Sequence, residues 1–147
     1  MTVQEFLTTI RERGDSRLER GLTSEEEALW KARMGRPLPR KHLELLRGAN
    51  GIHIDADEDT PQGMFQIHGI QGILESMEEV EDAELPAGWV VVGRDADSQE
   101  YAILDASTGK YFTVDAISPE EPLEEWDSLE DFLDWVAGIR DEEEEDG

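Results

Sequence analysis

The stretch WVVVGRDADSQEYAILDASTGKYFTVD, residues 89–115, decides the fold. It contains three runs rich in Val, Ile, Leu, Tyr and Phe, separated by two clusters of Asp, Ser, Thr and Gly. Branched and aromatic residues favour strands, whereas Asp, Ser and Gly favour turns. Short apolar runs bounded by turn residues are typical of hairpins. The sequence therefore predicts a three-stranded meander over these residues.

Helical patterns surround this meander. Residues 2–13 are predicted to form a first helix, which begins with a Thr and Glu at capping-box spacing and ends before a Gly. A Glu-rich start and a basic end predict a second helix in residues 22–35. Pro39 suits the first turn of a third helix, since its missing N–H costs nothing there. An apolar stripe predicts a last helix over residues 128–139.

The remaining segments give weaker patterns. Residues 64–68 are a short strand candidate, and residues 71–77 have the spacing of a short helix. The stretch SPEEPLEEW, residues 118–126, is predicted to be a loop because of its Pro and Glu content. Residues 1–140 are then one α+β domain, in which an antiparallel sheet packs against helices. The acidic residues 141–147 are predicted to be a disordered tail.

Charge is distributed unevenly along the 147 residues, whose net charge is −24. Residues 1–50 hold ten Lys and Arg against eight Asp and Glu, whereas residues 51–147 hold three against 29. The second part therefore carries a net charge of −26. Such a surface repels phosphate, which argues against nucleic acid and anionic membranes as partners and favours a basic protein. Self-repulsion also favours a monomer when the chain is free.

The sequence lacks the features that disulfide-bonded, secreted and membrane-spanning proteins require. There is no Cys, so disulfides, thiolate metal sites and a Cys nucleophile are excluded. The first residues lack the apolar region of a signal peptide, and no stretch approaches the ~20 apolar residues of a membrane span. We expect a cytoplasmic protein.

Several motifs occur in an order that resembles the SUKH superfamily, which groups yeast cell-wall-assembly regulators with many bacterial proteins. The resemblance covers roughly residues 22–139 and ends in a Ser-Leu-x-x-Phe-Leu helix. The resemblance implies fold-forming roles for the matching positions, which are Leu38, Pro39, Asn50, Gly51, Trp89, Gly93, Asp95, Tyr101, Asp105 and Gly109.

The resemblance implies an α+β fold and no enzymatic activity, and we expect no cofactor. Bacterial members resemble immunity proteins, which bind and block toxins, often nucleases, that competing cells deliver. The acidic second part of the chain suggests where a basic toxin domain would bind. The candidate partner-binding residues are Asp55, Asp57, Glu58, Asp59, Glu78, Glu79, Glu81, Asp82, Asp95, Asp97 and Glu100.

Two other functions are compatible with the sequence. The chain could be a regulatory or scaffolding module for a resident cellular protein, with its acidity serving solubility alone. It could also be a small metal-dependent enzyme, because His53 and His68 flank the acidic residues 55–59. Neither DADEDT, from Asp55, nor DADSQE, from Asp95, completes a calcium-loop pattern. No catalytic motif is present, and we expect no metal.

Overall fold

The computed structural model describes residues 1–13, 16–35, 38–54, 65–80, 85–86, 88–95, 100–115 and 121–146. These residues form five helices and seven strands. The helices are α1 (Val3–Arg13), α2 (Ser24–Met34), α3 (Arg40–Gly48), α4 (Ile70–Glu79) and α5 (Leu129–Asp146). The strands are β1 (Arg17–Leu18), β2 (Ile52–Ile54), β3 (Phe65–Ile67), β4 (Trp89–Asp95), β5 (Glu100–Asp105), β6 (Lys110–Asp115) and β7 (Pro122–Trp126).

The seven strands form one antiparallel sheet in the order β1-β2-β3-β4-β5-β6-β7, so each strand pairs with its neighbours along the chain. Strands β4–β6 form the central part of this sheet, so the predicted three-stranded meander is confirmed. The pairing of β4 with β5 shifts register between Val91 and Gly93. Helices flank the sheet, and the predicted α+β class is confirmed.

The apolar core lies on both faces of the sheet. On the first face, Val90 and Val92 join a large cluster with side chains from all five helices. On the second face, Val91 packs in a smaller cluster that includes Ile103 and Phe112. Successive residues of a strand point to opposite faces, which explains why one run of valines contributes to both clusters. The central strands are therefore apolar without alternation.

Reciprocal side-chain hydrogen bonds fix the first two helices. At α1, Glu5 N–H donates to Thr2 Oγ1 and Thr2 N–H donates to Glu5 Oε1, both over 3.1 Å. The same capping box joins Thr23 and Glu26 at α2, which ends at Gly35 with a φ of 73°. Each box satisfies N–H groups that the first helical turn leaves free. The predicted capping box of the first helix is confirmed.

The prediction of a loop over residues 118–126 is wrong for Pro122–Trp126, which form strand β7. Glu and Pro have low strand propensity, but Pro is tolerated as the first residue of an edge strand, where Pro122 lies. Pairing with β6 outweighs this local preference, and Trp126 packs edge to face on Phe132 with ring centroids 5.4 Å apart. Trp126 is half-buried.

Two helices are longer than the patterns indicated. Helix α4 spans Ile70–Glu79 rather than residues 71–77, and α5 continues to Asp146. The division of the chain into a domain ending at residue 140 and a disordered tail stays a prediction.

Candidate functional site

Three carboxylates lie on adjacent strands at one end of the sheet. Asp95 ends β4, Glu100 begins β5 and Asp115 ends β6. In the strand registers, Glu100 is paired with Asp115, and Phe65 at the start of β3 is paired with Asp95. All three acidic residues are half-buried. We call Asp95, Glu100 and Asp115 the acidic rim.

The structure brings together two of the predicted partner-binding residues, Asp95 and Glu100, within this rim. Glu78 and Glu79 are exposed at the C-terminal end of α4, a different element, where Glu78 Oε1 lies 3.9 Å from an Arg33 guanidinium nitrogen. The other predicted residues lie outside the described part of the chain and are Asp55, Asp57, Glu58, Asp59, Glu81, Asp82 and Asp97. Their role in partner binding stays a prediction.

A cleft of about 320 Å³ opens elsewhere, between the first turn of α3, the β5–β6 turn and the start of α5. Its wall includes His42 and Tyr111, whose Nδ1 and hydroxyl oxygen are 2.9 Å apart in a hydrogen bond. Beside the cleft, Lys41 Nζ lies 2.7 Å from Glu130 Oε1, and this ion pair links α3 to α5.

The buried pair in this cleft is not suited to acid–base catalysis near neutral pH. Burial lowers the pKa of His42 to about 4, because an imidazolium there would lose its hydration. Burial, together with the charge of Glu130, raises the pKa of the Tyr111 hydroxyl far above its usual range. Efficient general acids and bases have a pKa near the working pH. Both groups are instead neutral, and their hydrogen bond holds α3 against the sheet.

Asn50 connects three parts of the fold through its side chain. Its Nδ2 donates to Glu26 Oε2 over 2.9 Å, and its Oδ1 accepts from the Ile70 N–H over 2.9 Å. Asn50 therefore caps α4, whose own N-cap is Gly69 and has no side chain to do so. A Cβ at Gly69 would lie 2.3 Å from the Asn50 carbonyl oxygen, so glycine is required there.

The two histidines of the metal hypothesis have other contacts. His68 Nε2 lies 3.1 Å from Ser76 Oγ, and burial, then the charge of Arg94, lower the pKa of His68 to about 4. His53 Nε2 lies 3.3 Å from an Arg17 guanidinium nitrogen, a cation that would repel a metal ion. Searched over the described residues, the structure contains no group of three or more His, Asp or Glu arranged to hold a metal.

Sequence reasoning assigned no role to His42, and for Asn50 the resemblance implied a fold-forming role without the contacts that carry it. A signal for His42 was available, because it shares the α3 face with Leu45 and Leu46, which predicts that it is buried. The side-chain bonds of Asn50 reach residues far away in the sequence, and no local pattern gives them.

Fold and site together define a small α+β domain in which helices flank an antiparallel sheet with acidic residues at one end. Residues 21–135 match the model of the SMI1 / KNR4 family (SUKH-1). The chain belongs to this family, as the order of its motifs predicted. Members are generally immunity or regulatory proteins rather than enzymes, which suggests a role in protein interaction or immunity.

No curated protein matches the chain. Over the residues that the structure describes, no helix combines the length and the apolarity that crossing a bilayer requires.

Proposed function

We propose that this protein is a non-enzymatic binding protein of the cytoplasm, which neutralises a cognate toxin domain by covering its active surface. The acidic rim is the observation that carries this proposal. Asp95, Glu100 and Asp115 lie on three adjacent strands, at the end of the sheet where the connections 55–64 and 96–99 leave the described strands.

A nuclease toxin would suit this surface. Nucleases need basic groups to hold phosphate, and an acidic surface competes for those groups. The rim belongs to a part of the chain with a net charge of −26, whose field extends over about a Debye length. Complementary fields raise association rates toward ~10⁸–10⁹ M⁻¹s⁻¹ at low salt. The proposed mechanism is fast electrostatic capture followed by occlusion.

Occlusion needs no chemistry from the binding protein. The one histidine–tyrosine pair in the described cleft is neutral at physiological pH because both groups are buried, which supports a binding role rather than catalysis. The rim and the cleft are formed by different ends of β5 and β6, so partner binding at the rim leaves the His42–Tyr111 bond in place.

The test uses, as the binding partner, the C-terminal domain of any secreted protein that is encoded next to this one. We expect a tight complex that abolishes the toxicity of that domain in cells, with an association rate that falls steeply between low and physiological salt. Capture of a resident cellular protein instead, with toxicity unchanged, would reject the immunity function. A tight complex whose association rate does not change with salt would reject only the electrostatic capture and leave the immunity function in place.

Variants then locate the surface. Asp95→Asn combined with Glu100→Gln removes two charges from the rim. Glu12→Gln combined with Glu75→Gln removes the same charge from exposed positions of α1 and α4 and is the matched control. We expect the rim variant to slow association more than the control at low salt, and the difference to disappear at high salt. Equal effects of both variants would place the contact elsewhere.

A further inference from the structure

The two edges of the sheet differ in length and in charge. At one edge, β1 has only two residues and includes Arg17. At the other edge, β7 has five residues, and the first four of them are exposed. An edge strand presents unpaired N–H and C=O groups to which another chain can add. Within the described residues, β7 pairs with β6 alone, so its outer edge is free.

The side chains of β7 are acidic and partly apolar. Residues 121–127 include four carboxylates, on Glu121, Glu124, Glu125 and Asp127. Lys110 compensates part of this charge, since its Nζ lies 3.3 Å from Glu125 Oε1 and 3.9 Å from Asp127 Oδ1. Between the glutamates, Leu123 exposes 55% of its surface, more than any other large apolar residue in the described part of the chain.

The acidic side chains of β7 determine which kind of strand can pair with its outer edge. A second copy of the chain would place Glu opposite Glu in a protein of net charge −24, and like charges directly opposite each other destabilise strand pairing. A basic strand would instead meet opposite charges at the same positions. The edge is therefore protected against self-association and complementary to a basic partner.

We propose that the outer edge of β7 receives an extended basic segment of the toxin domain as an additional strand of the sheet. This inference rests on the proposed function and names the docking element within it. Main-chain hydrogen bonds would supply affinity, and side chains would supply specificity. Because Pro122 pairs with Val114, β7 begins beside the end of β6 and continues the surface of the acidic rim.

The strand register specifies the charge pattern of the segment. Glu125 is opposite Phe112, on the second face, and Glu124 is opposite Thr113, so the two glutamates project to opposite faces. A partner strand must therefore carry two adjacent basic residues, one for each face. Leu123 is the additional residue where the register shifts between Thr113 and Val114, and an apolar residue of the partner would cover its exposed side chain.

A synthetic peptide tests the edge without the toxin. The probe contains two adjacent lysines flanked by Val and Thr, and its control keeps the adjacent lysines but has Pro in place of the two flanking residues, which removes pairing N–H groups. We expect the first peptide to slow amide hydrogen exchange in residues 123–126 and the Pro peptide to leave it unchanged. Equal effects of the two peptides would mean attraction by charge without strand addition and would overturn the inference.

The toxin domain provides the second test. Glu124→Lys changes the edge while leaving the Lys110–Glu125 pair in place, and Glu75→Lys on α4 is the matched control. We expect Glu124→Lys to weaken toxin binding roughly tenfold more than the control, because an attractive cross-strand pair becomes repulsive. Absence of binding by the unaltered protein rejects the proposed function. Normal binding with both variants equivalent rejects only the β7 edge.

Discussion

The buried His42 makes the stability of this protein depend on pH. Its pKa is lowered from 6.5 to about 4 by burial, so the folded state holds it neutral where the unfolded chain would protonate it. Stability from this group is fully present above pH 6.5 and is lost as pH falls toward 4, because the unfolded state then binds the additional proton. The linkage relation gives a loss of about 2 kcal/mol at pH 5 and about 3 kcal/mol below pH 4.

Urea denaturation at pH 7.5 and pH 5 measures this loss, with His42→Gln as the comparison. Glutamine does not titrate, and its amide offers the Tyr111 hydroxyl a hydrogen bond in place of the imidazole. The acidic residues titrate in both proteins, so their contribution cancels in the difference. We expect the wild type to lose about 2 kcal/mol more than the variant between the two pH values.

His68 provides an independent check, since burial and the charge of Arg94 lower its pKa to about 4 as well. His68→Gln should reduce the pH dependence by a similar amount, and the double variant should reduce it by both. Free energies of unfolding that fall in parallel for the wild type and His42→Gln would refute the argument that His42 is held neutral. NMR titration of the imidazole protons, with a midpoint near 6.5 for His42, would refute it directly.

Three further predictions concern stability and are measured by urea denaturation. Gly93→Ala should destabilise by about 1–3 kcal/mol, since its Cβ would lie 2.6 Å from the Gln66 carbonyl oxygen, whereas Gly138→Ala, with open space around it, should not. Thr23→Ala removes a capping box and should cost about 1 kcal/mol, an expectation that an unchanged midpoint would contradict. Phe132→Ala should cost about 3–5 kcal/mol, because this fully buried ring packs against four other aromatic rings, and a smaller loss would mean that the site collapses around the cavity.

The sequence predicted the central meander because several local signals agree there. Apolar runs, turn residues and a Gly with φ of 80° at position 109 all favour hairpins, and the core then required both faces of the strands to be apolar. Asp95 and Glu100 were predicted as partner-binding residues because they flank the first turn of the meander, which places them together at one end of a hairpin. Pairing across the next hairpin adds Asp115, which no single-strand pattern associates with them.

Strand β7 could not be predicted, because its local signals oppose the structure. Its residues PLEEW have low strand propensity, and only pairing with β6 and the packing of Trp126 on the aromatic cluster make it a strand. Long-range contacts of this kind, like those of Asn50, depend on the assembled fold. Places where local preference and fold disagree are often functional, which adds weight to the inference about this edge.

Salt separates the two explanations of the acidity, because it acts on folding and on binding with opposite signs. Within the free protein, screening reduces repulsion among the 37 acidic residues and should raise the midpoint of thermal unfolding. In the complex, the same screening weakens attraction to a basic partner and should slow association. If acidity served solubility alone, added salt would stabilise the fold and leave partner binding unchanged. One salt series that follows both the unfolding midpoint and the association rate therefore decides between them, and opposite slopes are the result that we expect.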